Sequence, residues 1–322
     1  MMKLYQFEFS LFLLLTILNT TYQQITPEIT VVSQIKQYLY DFGYIKESKD
    51  YFDEVIDKDT ISAIKTYQQF FNLQVTGELN TETLQQISLP RCGVPDMNFE
   101  YGFNDATNTS QPKGNKWFPK GTKTLTYGFN PESEISIYMT SAFRNAFARW
   151  SMTTRIMKFN ETAYDDADIK IGFYFIDYDN VVDRLVVADT FISLNVDSKV
   201  MSGMMRLQGT KNWKLPTDND TLLWWLGDFD LESVAMHQIG HLLGLDHSSH
   251  NESIMYPAIL PSQQRKVQIT DSDNKTIQQL YSANAIKDSA NFGDSGSFKL
   301  VGPSSGFLTS LFLGFTFVGL LN

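Results

Sequence analysis

The chain has 322 residues, of which 43% are hydrophobic and 14% aromatic, enough to bury one large core and a smaller one. Its net charge of -10 argues against a nucleic-acid partner, whose phosphates would repel it. It contains a single cysteine, which excludes an intramolecular disulfide.

The first 22 residues predict a secretory signal peptide. Lys3 precedes an apolar run at residues 11–18, whose length suits a signal peptide rather than a membrane-spanning helix. Five N-glycosylation sequons agree with an extracellular route. The candidate asparagines are Asn108, Asn160, Asn219, Asn251 and Asn274.

Residues 24–97 predict a small helical bundle that ends in a cysteine-containing loop. Two apolar stripes at helical spacing form its expected core. They comprise Val32, Ile35, Leu39 and Tyr40 in one, and Ile61, Ile64, Tyr67, Phe70 and Phe71 in the other. Asn80 is a candidate N-cap for a short third helix.

The loop at residues 90–96 reads Pro-Arg-Cys-Gly-Val-Pro-Asp and holds the one cysteine. The thiolate of Cys92 is a strong zinc ligand. Arg91 and Asp96 carry opposite charges that can pair across the loop and hold its shape. The alternative is a free thiol in a turn. Residues 98–119 are polar and predict a linker in which an activation cleavage would fall.

Residues 120–284 predict a second domain of strands and long helices. An alternating pattern at 123–129 predicts a strand, and 167–174 predicts another. Between them, a helix over about 135–152 presents aromatic residues to the sheet. These are Phe143, Phe147 and Trp150. Residues 271–281 predict a closing helix.

Three histidines lie on one predicted helix and the turn after it. On a helix that Asp230 caps, His237 and His241 lie four residues apart on the same face. Gly244 permits a left-handed residue, which turns the chain so that His247 reaches the same point. Three neutral imidazoles with an open fourth position are typical of a catalytic zinc rather than a closed structural one.

These motifs resemble those of the matrixins, a metzincin family of zinc endopeptidases. Residues 237–247, followed by Met255 in the sequence Ser-Ile-Met-Tyr-Pro, are similar to the family's zinc motif and Met-turn. Residues 90–96 resemble its cysteine switch. The stretch at 230–249 looks most like plant matrixins, among which a legume nodulation-associated member is one alternative.

The resemblance implies an α+β fold, in which a helical propeptide bundle is followed by a metzincin-type catalytic domain of twisted mixed sheet and long helices. It implies one catalytic-type zinc, with Cys92 as the fourth ligand in a zymogen and with Arg91 and Asp96 supporting the switch. It also implies that extracellular proteins or peptides are the substrates or ligands.

One residue departs from the family pattern at the site itself. Gln238 stands where the family has the glutamate that acts as general base. An amide cannot accept the proton of the attacking water, and losing a positioned base removes about 10²–10⁴ of rate. Two hypotheses follow: a zinc endopeptidase with weak or lost proteolysis, or a pseudoprotease that binds peptides or proteins. A vestigial, metal-free site is a third.

A second departure lies in the segment from 175 to 213. Active matrixins hold a structural zinc there with three histidines, whereas all four histidines of this chain lie at or after position 237. Asp189 and Arg206 fall where the family has histidines, so a second zinc is not expected. Calcium is doubtful as well, because scattered surface carboxylates are a commoner outcome than a calcium site. The acidic candidates are Asp177, Asp179, Asp183 and Asp189.

The chain ends in a polar spacer at residues 285–305 and a hydrophobic tail at 306–322. Small residues in the spacer, followed by such a tail, resemble a glycosylphosphatidylinositol-anchor signal. The tail is short for a span of about 20 apolar residues, and a short membrane segment is the alternative. The expected location is the extracellular face of the plasma membrane.

Overall fold

The structure is a computed structural model that describes residues 31–46, 51–97, 109–110, 124–155, 157–175, 181–194, 201–215, 228–261 and 265–279. The chain divides into two compact units, residues 1–284 and 285–322, and every described residue belongs to the first. The expected signal peptide, most of the linker, the spacer and the tail lie outside the described residues. None of the helices in the described ranges combines the length and the apolar composition that a membrane span requires.

Three helices form an N-terminal bundle. They are α1 (Val32–Asp41), α2 (Lys58–Phe70) and α3 (Thr81–Ile87). Capping side chains set where two of them begin: Asp57 and Asn80 each accept a backbone N–H from the first turn that follows, at 2.8 and 2.9 Å. The predicted Asn80 cap is confirmed.

Most members of the predicted apolar stripes pack in the core of this bundle, whereas Val32, Tyr40 and Ile61 are only partly buried. Its most deeply buried members include Ile35, Leu39, Ile64 and Tyr67. Burying such a side chain contributes on the order of 1.5–3 kcal/mol. The same cluster continues into Leu185 and Val186 of the second domain, so the bundle packs directly on that domain.

A mixed sheet forms the centre of the second domain and also takes up one short strand from the cysteine-containing loop and one from the linker. Its strands are β1 (Arg91–Cys92), β2 (Thr109–Ser110), β3 (Thr124–Phe129), β4 (Lys158–Glu161), β5 (Ile169–Tyr174), β6 (Val186–Leu194) and β7 (Met201–Gln208). Their order is β1-β6-β7-β5-β3-β4, and β2 also pairs with β6. Strand β6 is antiparallel to β7 and β2, and the other pairs are parallel. The predicted α+β fold is confirmed, while the predicted linker contributes the short strand β2.

Helices cover the sheet and complete the domain. They are α4 (Ile137–Thr154), α5 (Val181–Leu185), α6 (Leu231–Leu242) and α7 (271–279). The three aromatic residues predicted for α4 are buried, and Phe147 stacks on Tyr127 of β3 with ring centres 4.1 Å apart. Helix α6 packs on α4, where the indole of Trp150 donates to the carbonyl of Met236 at 2.9 Å. A small parallel ladder, β8 (Trp213–Lys214) with β9 (Phe229–Asp230), leads into α6.

Candidate metal centre

Helix α6 and the turn after it position three histidines. The carboxylate of Asp230 accepts a backbone N–H of the first turn at 2.7 Å, which confirms the predicted cap. His237 and His241 are buried one helical turn apart. Gly244 has a φ of 92°, as predicted for a left-handed residue, and the turn places His247 beside the other two.

The three imidazoles have the spacing of a zinc-ligand set. The Nε2 atoms of His237 and His241 lie 3.1 Å apart, and that of His247 lies 3.2 and 3.1 Å from them. Nitrogen ligands at 2.0–2.1 Å from a tetrahedral zinc lie about 3.3–3.4 Å from one another. The three histidines therefore fit the catalytic-type zinc that the family resemblance implies.

Each imidazole has an acceptor on its other nitrogen. The Nδ1 atom of His237 lies 2.7 Å from the carbonyl oxygen of Ile254, and that of His241 lies 2.8 Å from the carbonyl oxygen of Leu245. The Nδ1 atom of His247 lies 2.7 Å from a carboxylate oxygen of Asp96. Because these oxygens accept only, the contacts assign the ring protons to the Nδ1 atoms. Three Nε2 lone pairs then converge without an imidazole proton between them, an arrangement that a cation satisfies.

Burial favours the neutral form of these rings. It lowers the pKa of His237 to about 3, and the neighbouring His247 contributes to the same shift. Burial and the other two imidazoles lower the pKa of His241 well below its ordinary value. Burial also lowers the pKa of His247, although the carboxylate of Asp96 opposes the shift. A neutral imidazole is the form that binds a metal.

The thiol of Cys92 is the fourth group of the cluster. Its Sγ lies 3.5 Å from Nε2 of His241, close to the roughly 3.5–3.6 Å expected between sulfur and nitrogen ligands of one tetrahedral zinc. Potential ligand atoms of the four buried residues lie within 4.8 Å of one another. Burial raises the pKa of the thiol to about 12, and a cation between these atoms would supply the charge that favours the thiolate.

Strand β1 holds Cys92 in place by hydrogen bonds on both of its sides. The amide of Cys92 donates to the carbonyl of Pro257 at 2.9 Å, and the amide of Ile259 donates to the carbonyl of Pro90 at 2.8 Å. On the other side, the amide of Gly93 donates to the carbonyl of Ala188 on β6 at 2.9 Å. The segment around Cys92 thus lies in a groove between β6 and residues 257–259, where an extended peptide can pair in the same manner.

Arg91 and Asp96 contact one another in the interior. A guanidinium nitrogen of Arg91 lies 2.5 Å from Asp96 Oδ1, and both side chains are at most 2% exposed. The guanidinium also donates to the hydroxyl of Tyr38 at 2.7 Å and lies 3.5 Å from the ring centre of Phe42. Tyr44 donates to the second oxygen of Asp96 at 2.8 Å.

The sequence analysis missed these three aromatic partners. The available signal was the arginine itself, since a buried guanidinium requires several partners. Burial lowers its pKa, but the charge of Asp96, the hydrogen bond to Asp96 and the nearby Tyr38 and Tyr44 together raise it well above the usual value. The apolar stripe predicted for α1 contains none of the three aromatic partners.

Gln238 lies fully buried beside the cluster. Its amide nitrogen is 3.3 Å from Cys92 Sγ and 3.3 Å from the carbonyl oxygen of Ala188. Its Oε1 has no hydrogen-bond partner among the described residues. The carbonyl of Ala188 only accepts, so this contact requires a donor, which an amide supplies and an ionised carboxylate does not.

Met255 packs beneath the histidine-bearing helix. It is 1% exposed, and a Cβ atom added to Gly240 would lie too close to its sulfur. The glycine therefore permits the close approach of helix and Met-turn. The turn is fixed by Ser253, which donates to Asp273 at 2.6 Å and accepts the amide of Met255 at 2.9 Å.

An ion pair joins β6 and β7 where the family resemblance implies a structural zinc. Asp189 and Arg206 lie opposite one another in the antiparallel register. Two nitrogens of Arg206 contact the two carboxylate oxygens at 2.8 and 2.5 Å, and the guanidinium lies 4.9 Å from the ring centre of Phe191. The carboxylate of Asp189, one of the calcium candidates, is thus paired with an arginine.

The structure describes only part of the remaining calcium and glycosylation candidates. Asp183 lies on α5, while Asp177 and Asp179 are outside the described residues. Among the sequon asparagines, Asn160 and Asn251 are exposed and Asn274 is partly exposed. Asn108 and Asn219 are outside the described residues.

Comparison with known proteins places these features in a family. Residues 116–282 match the model of the matrixin family, and residues 30–87 match a putative peptidoglycan binding domain. Metalloendoproteinase 2-MMP of Arabidopsis thaliana is 37% identical over 281 residues, which cover 78% of this chain and 70% of that protein. Metalloendoproteinase 1 of Glycine max is 37% identical over 257 residues, covering 79% and 82%.

A more distant relative shows the same relationship outside plants: macrophage metalloelastase of Rattus norvegicus is 28% identical over 220 residues, covering 68% of this chain and 43% of that protein. The match of the matrixin model over the sheet and α6 agrees with the histidine geometry described above. This chain belongs to the matrixin family of zinc-dependent metalloproteases.

Proposed function

We propose that this protein is an extracellular, cell-surface zinc metalloendopeptidase made as a zymogen, in which proteolysis is weak or lost because Gln238 replaces the general base. In this assignment His237, His241 and His247 hold the zinc, and Cys92 completes its coordination in the zymogen. The zinc supplies Lewis acidity towards a peptide carbonyl and lowers the pKa of water.

The position and contacts of Gln238 carry this proposal. The side chain lies next to the histidine cluster, at the position of the family's base, and its amide has no site that accepts a proton at neutral pH. Its donor group contacts Cys92 of the predicted propeptide and the carbonyl of Ala188, which also accepts the amide of Gly93. The residue is thus suited to the covered state of the centre and unsuited to proton transfer.

The zymogen assignment is supported by the way β1 is held. Cys92 lies against the histidines while its neighbours make backbone hydrogen bonds to both walls of the groove. The same groove would have to admit a substrate. Removal of residues 24–97, by cleavage in the linker at 98–119, would therefore expose both the histidines and the peptide-binding edges of the groove.

A binding function is the second candidate. The edge of β6 and the segment at 257–259 offer backbone donors and acceptors to an extended peptide. None of these groups depends on a general base. The protein would then act as a zinc-containing pseudoprotease that captures extracellular peptides or proteins.

Export and anchoring are part of the same proposal. The signal-like residues 1–22 and the exposed sequons at Asn160 and Asn251 support an extracellular route. The spacer and tail at 285–322 support a glycosylphosphatidylinositol anchor, with a short membrane segment as the alternative. Mass spectrometry of the membrane-released protein, with and without phospholipase treatment, distinguishes the two.

The function is tested by restoring the carboxylate in protein from which residues 24–97 have been released by cleavage in the linker, so that the groove is open. Under these conditions Gln238→Glu is expected to increase cleavage of an unfolded protein substrate by about 10²–10⁴-fold over the native glutamine. Gln238→Ala is the matched control and should remain as slow as the native glutamine, because neither side chain accepts a proton. Zinc content is measured in all three.

Each outcome has a consequence. If native Gln238 and Gln238→Glu cleave equally, another group acts as the base and the assignment of weak proteolysis fails. If the native glutamine binds the unfolded substrate without cleaving it, the binding function is favoured. If none of the proteins contains zinc, both functions fail.

A further inference from the structure

The outer partner of His247 comes from a different part of the chain than those of the other two histidines. His237 and His241 donate to backbone carbonyls of the second domain, at Ile254 and Leu245. His247 donates to a carboxylate oxygen of Asp96, which lies 151 residues earlier in the chain, in the segment that carries Cys92. The acceptors of His237 and His241 are neutral carbonyls of their own domain, whereas the acceptor of His247 is a charged carboxylate of the predicted propeptide.

The carboxylate of Asp96 is held rigidly for this contact. Its side chain is fully buried, and Oδ1 contacts both Arg91 at 2.5 Å and His247 at 2.7 Å. Oδ2 accepts the hydroxyl of Tyr44 at 2.8 Å. Three contacts from three different segments thus fix the position of one carboxylate. Burial opposes its ionisation, but the charge of Arg91 and the contacts with His247 lower its pKa below the ordinary value.

A carboxylate on the Nδ1–H of a histidine affects the metal that the other nitrogen holds. It fixes the orientation of the ring and makes Nε2 more basic, and losing such an outer partner costs about 10–100-fold in metal affinity. A backbone carbonyl fixes orientation in the same way but brings no charge. Among the three histidines, His247 therefore receives the strongest outer support.

We propose that Asp96 is a positioning residue of the metal centre and acts through His247. The propeptide then stabilises the bound metal in two ways, by the thiol of Cys92 and by the carboxylate of Asp96. The inference rests on the proposed zinc site. It predicts that release of residues 24–97 weakens metal binding by more than the loss of one ligand, because His247 loses its charged partner in the same step.

The experiment must separate an effect through His247 from an effect on the placement of Cys92. Zinc affinity is measured on the intact chain by competition with a chromophoric chelator. Four proteins form a cycle: the native chain, Asp96→Ala, Cys92→Ser and the double variant. Asp96→Ala is expected to lower zinc affinity by about 10–100-fold in both the native and the Cys92→Ser background.

Two results would overturn the proposal. The first is an Asp96→Ala chain with native zinc affinity. The second is a loss that occurs in the native background and vanishes with Cys92→Ser, since the carboxylate would then serve only to place the thiol.

A matched control removes a different contact of the same carboxylate. Tyr44→Phe deletes the hydrogen bond to Oδ2 and leaves the contact with His247 in place. Its zinc affinity should therefore stay within about twofold of the native value, a much smaller change than the roughly 10–100-fold loss expected for Asp96→Ala. If Asp96→Ala fails to fold, Asp96→Asn carries the test. Its amide oxygen still accepts from His247 but has no charge, so a smaller, measurable loss of affinity is expected, and native affinity would overturn the proposal.

Cobalt substitution provides a readout that a general loss of structure would not imitate. In Asp96→Ala the ligand-field bands of bound cobalt should shift while the thiolate-to-cobalt charge-transfer band remains. Loss of the charge-transfer band would show that Asp96 acts on Cys92 and would contradict the proposal. Absence of zinc from the native chain would contradict the proposed function itself, whereas native zinc affinity in Asp96→Ala would contradict this inference alone.

Discussion

The cluster at the end of α6 and the β6–β7 strand pair differ in how much of the matrixin pattern they keep. The first retains three histidines, the glycine turn and the Met-turn. In the second, Asp189 and Arg206 form a two-point ion pair where the family resemblance implies metal ligands. A direct ion pair can join two strands as a metal does. It has no open coordination position, so it cannot replace a metal whose role is chemical.

The physical basis of the difference is the number of segments that must converge. Asp189 and Arg206 are cross-strand neighbours, so the sheet register alone brings them together. The four groups of the cluster come from α6, the following turn and β1. A change in any one of them alters the whole centre, whereas the ion pair depends on two residues.

Removing one ligand from the cluster should have the largest effect of the changes considered. His241→Ala is expected to reduce bound zinc from about one per chain to background. It should also remove the stabilisation that zinc confers, about 4 kcal/mol when free zinc is 1,000-fold above its dissociation constant. Thermal unfolding with and without a chelator, together with metal analysis, measures both effects.

The exposed His250 provides the control for this change. His250→Ala should keep its zinc and remain sensitive to the chelator. Stoichiometric zinc in His241→Ala would contradict the assignment of the ligand set.

Acid should destabilise the protein through the buried histidines of the cluster. In the metal-free protein, His237 is buried with its pKa lowered to about 3, so the unfolded chain binds more protons than the folded one below pH 6.5. The free energy of unfolding should therefore fall as pH decreases from 6.5 towards 3. The slope is about 1.4 kcal/mol per pH unit for each histidine that behaves in this way.

Denaturant titrations between pH 7.5 and 5 in the presence of a chelator measure this slope. In His237→Ala it should decrease by the contribution of one proton. A stability that is constant over this range would show that the imidazoles are not held neutral by burial.

The smallest expected effect belongs to the β6–β7 ion pair. A double-mutant cycle with Asp189→Ala and Arg206→Ala should give a coupling energy of about 0.5–1 kcal/mol, because both side chains are partly exposed and solvent screens their charges. Equilibrium denaturation measures the cycle. Zinc content should be unchanged in all variants, and loss of zinc in either single variant would show that the two regions are not independent.

Local features were predictable from the sequence because they depend on nearby residues. The caps at Asn80 and Asp230 and the left-handed Gly244 follow from one or two turns of chain. The same holds for the helical stripes and for the buried aromatic face of α4. Helix ends were less accurate: α4 begins at Ile137 rather than about 135, because Ser136 caps it by accepting a backbone N–H at 3.2 Å.

Contacts between distant segments were not predictable in the same way. The sequence analysis expected Arg91 and Asp96 to face one another, but it gave no indication that Asp96 would also reach His247. Nor did it pair Gln238 with Ala188, 50 residues away. The family resemblance puts both Asp189 and Arg206 at positions where matrixins have histidine ligands, yet only the strand register shows that the two residues pair.

The sequence by itself determined the family, the fold class and the spacing of the three histidines, since helical periodicity and a glycine turn act over a few residues. It also fixed the chemical limit that Gln238 imposes, because an amide lacks a basic site in any fold. Only the tertiary structure decided which groups surround that amide, which segment supplies the outer partner of His247 and how β6 joins β7. Those contacts arise when separate segments pack together, and no local pattern encodes their register.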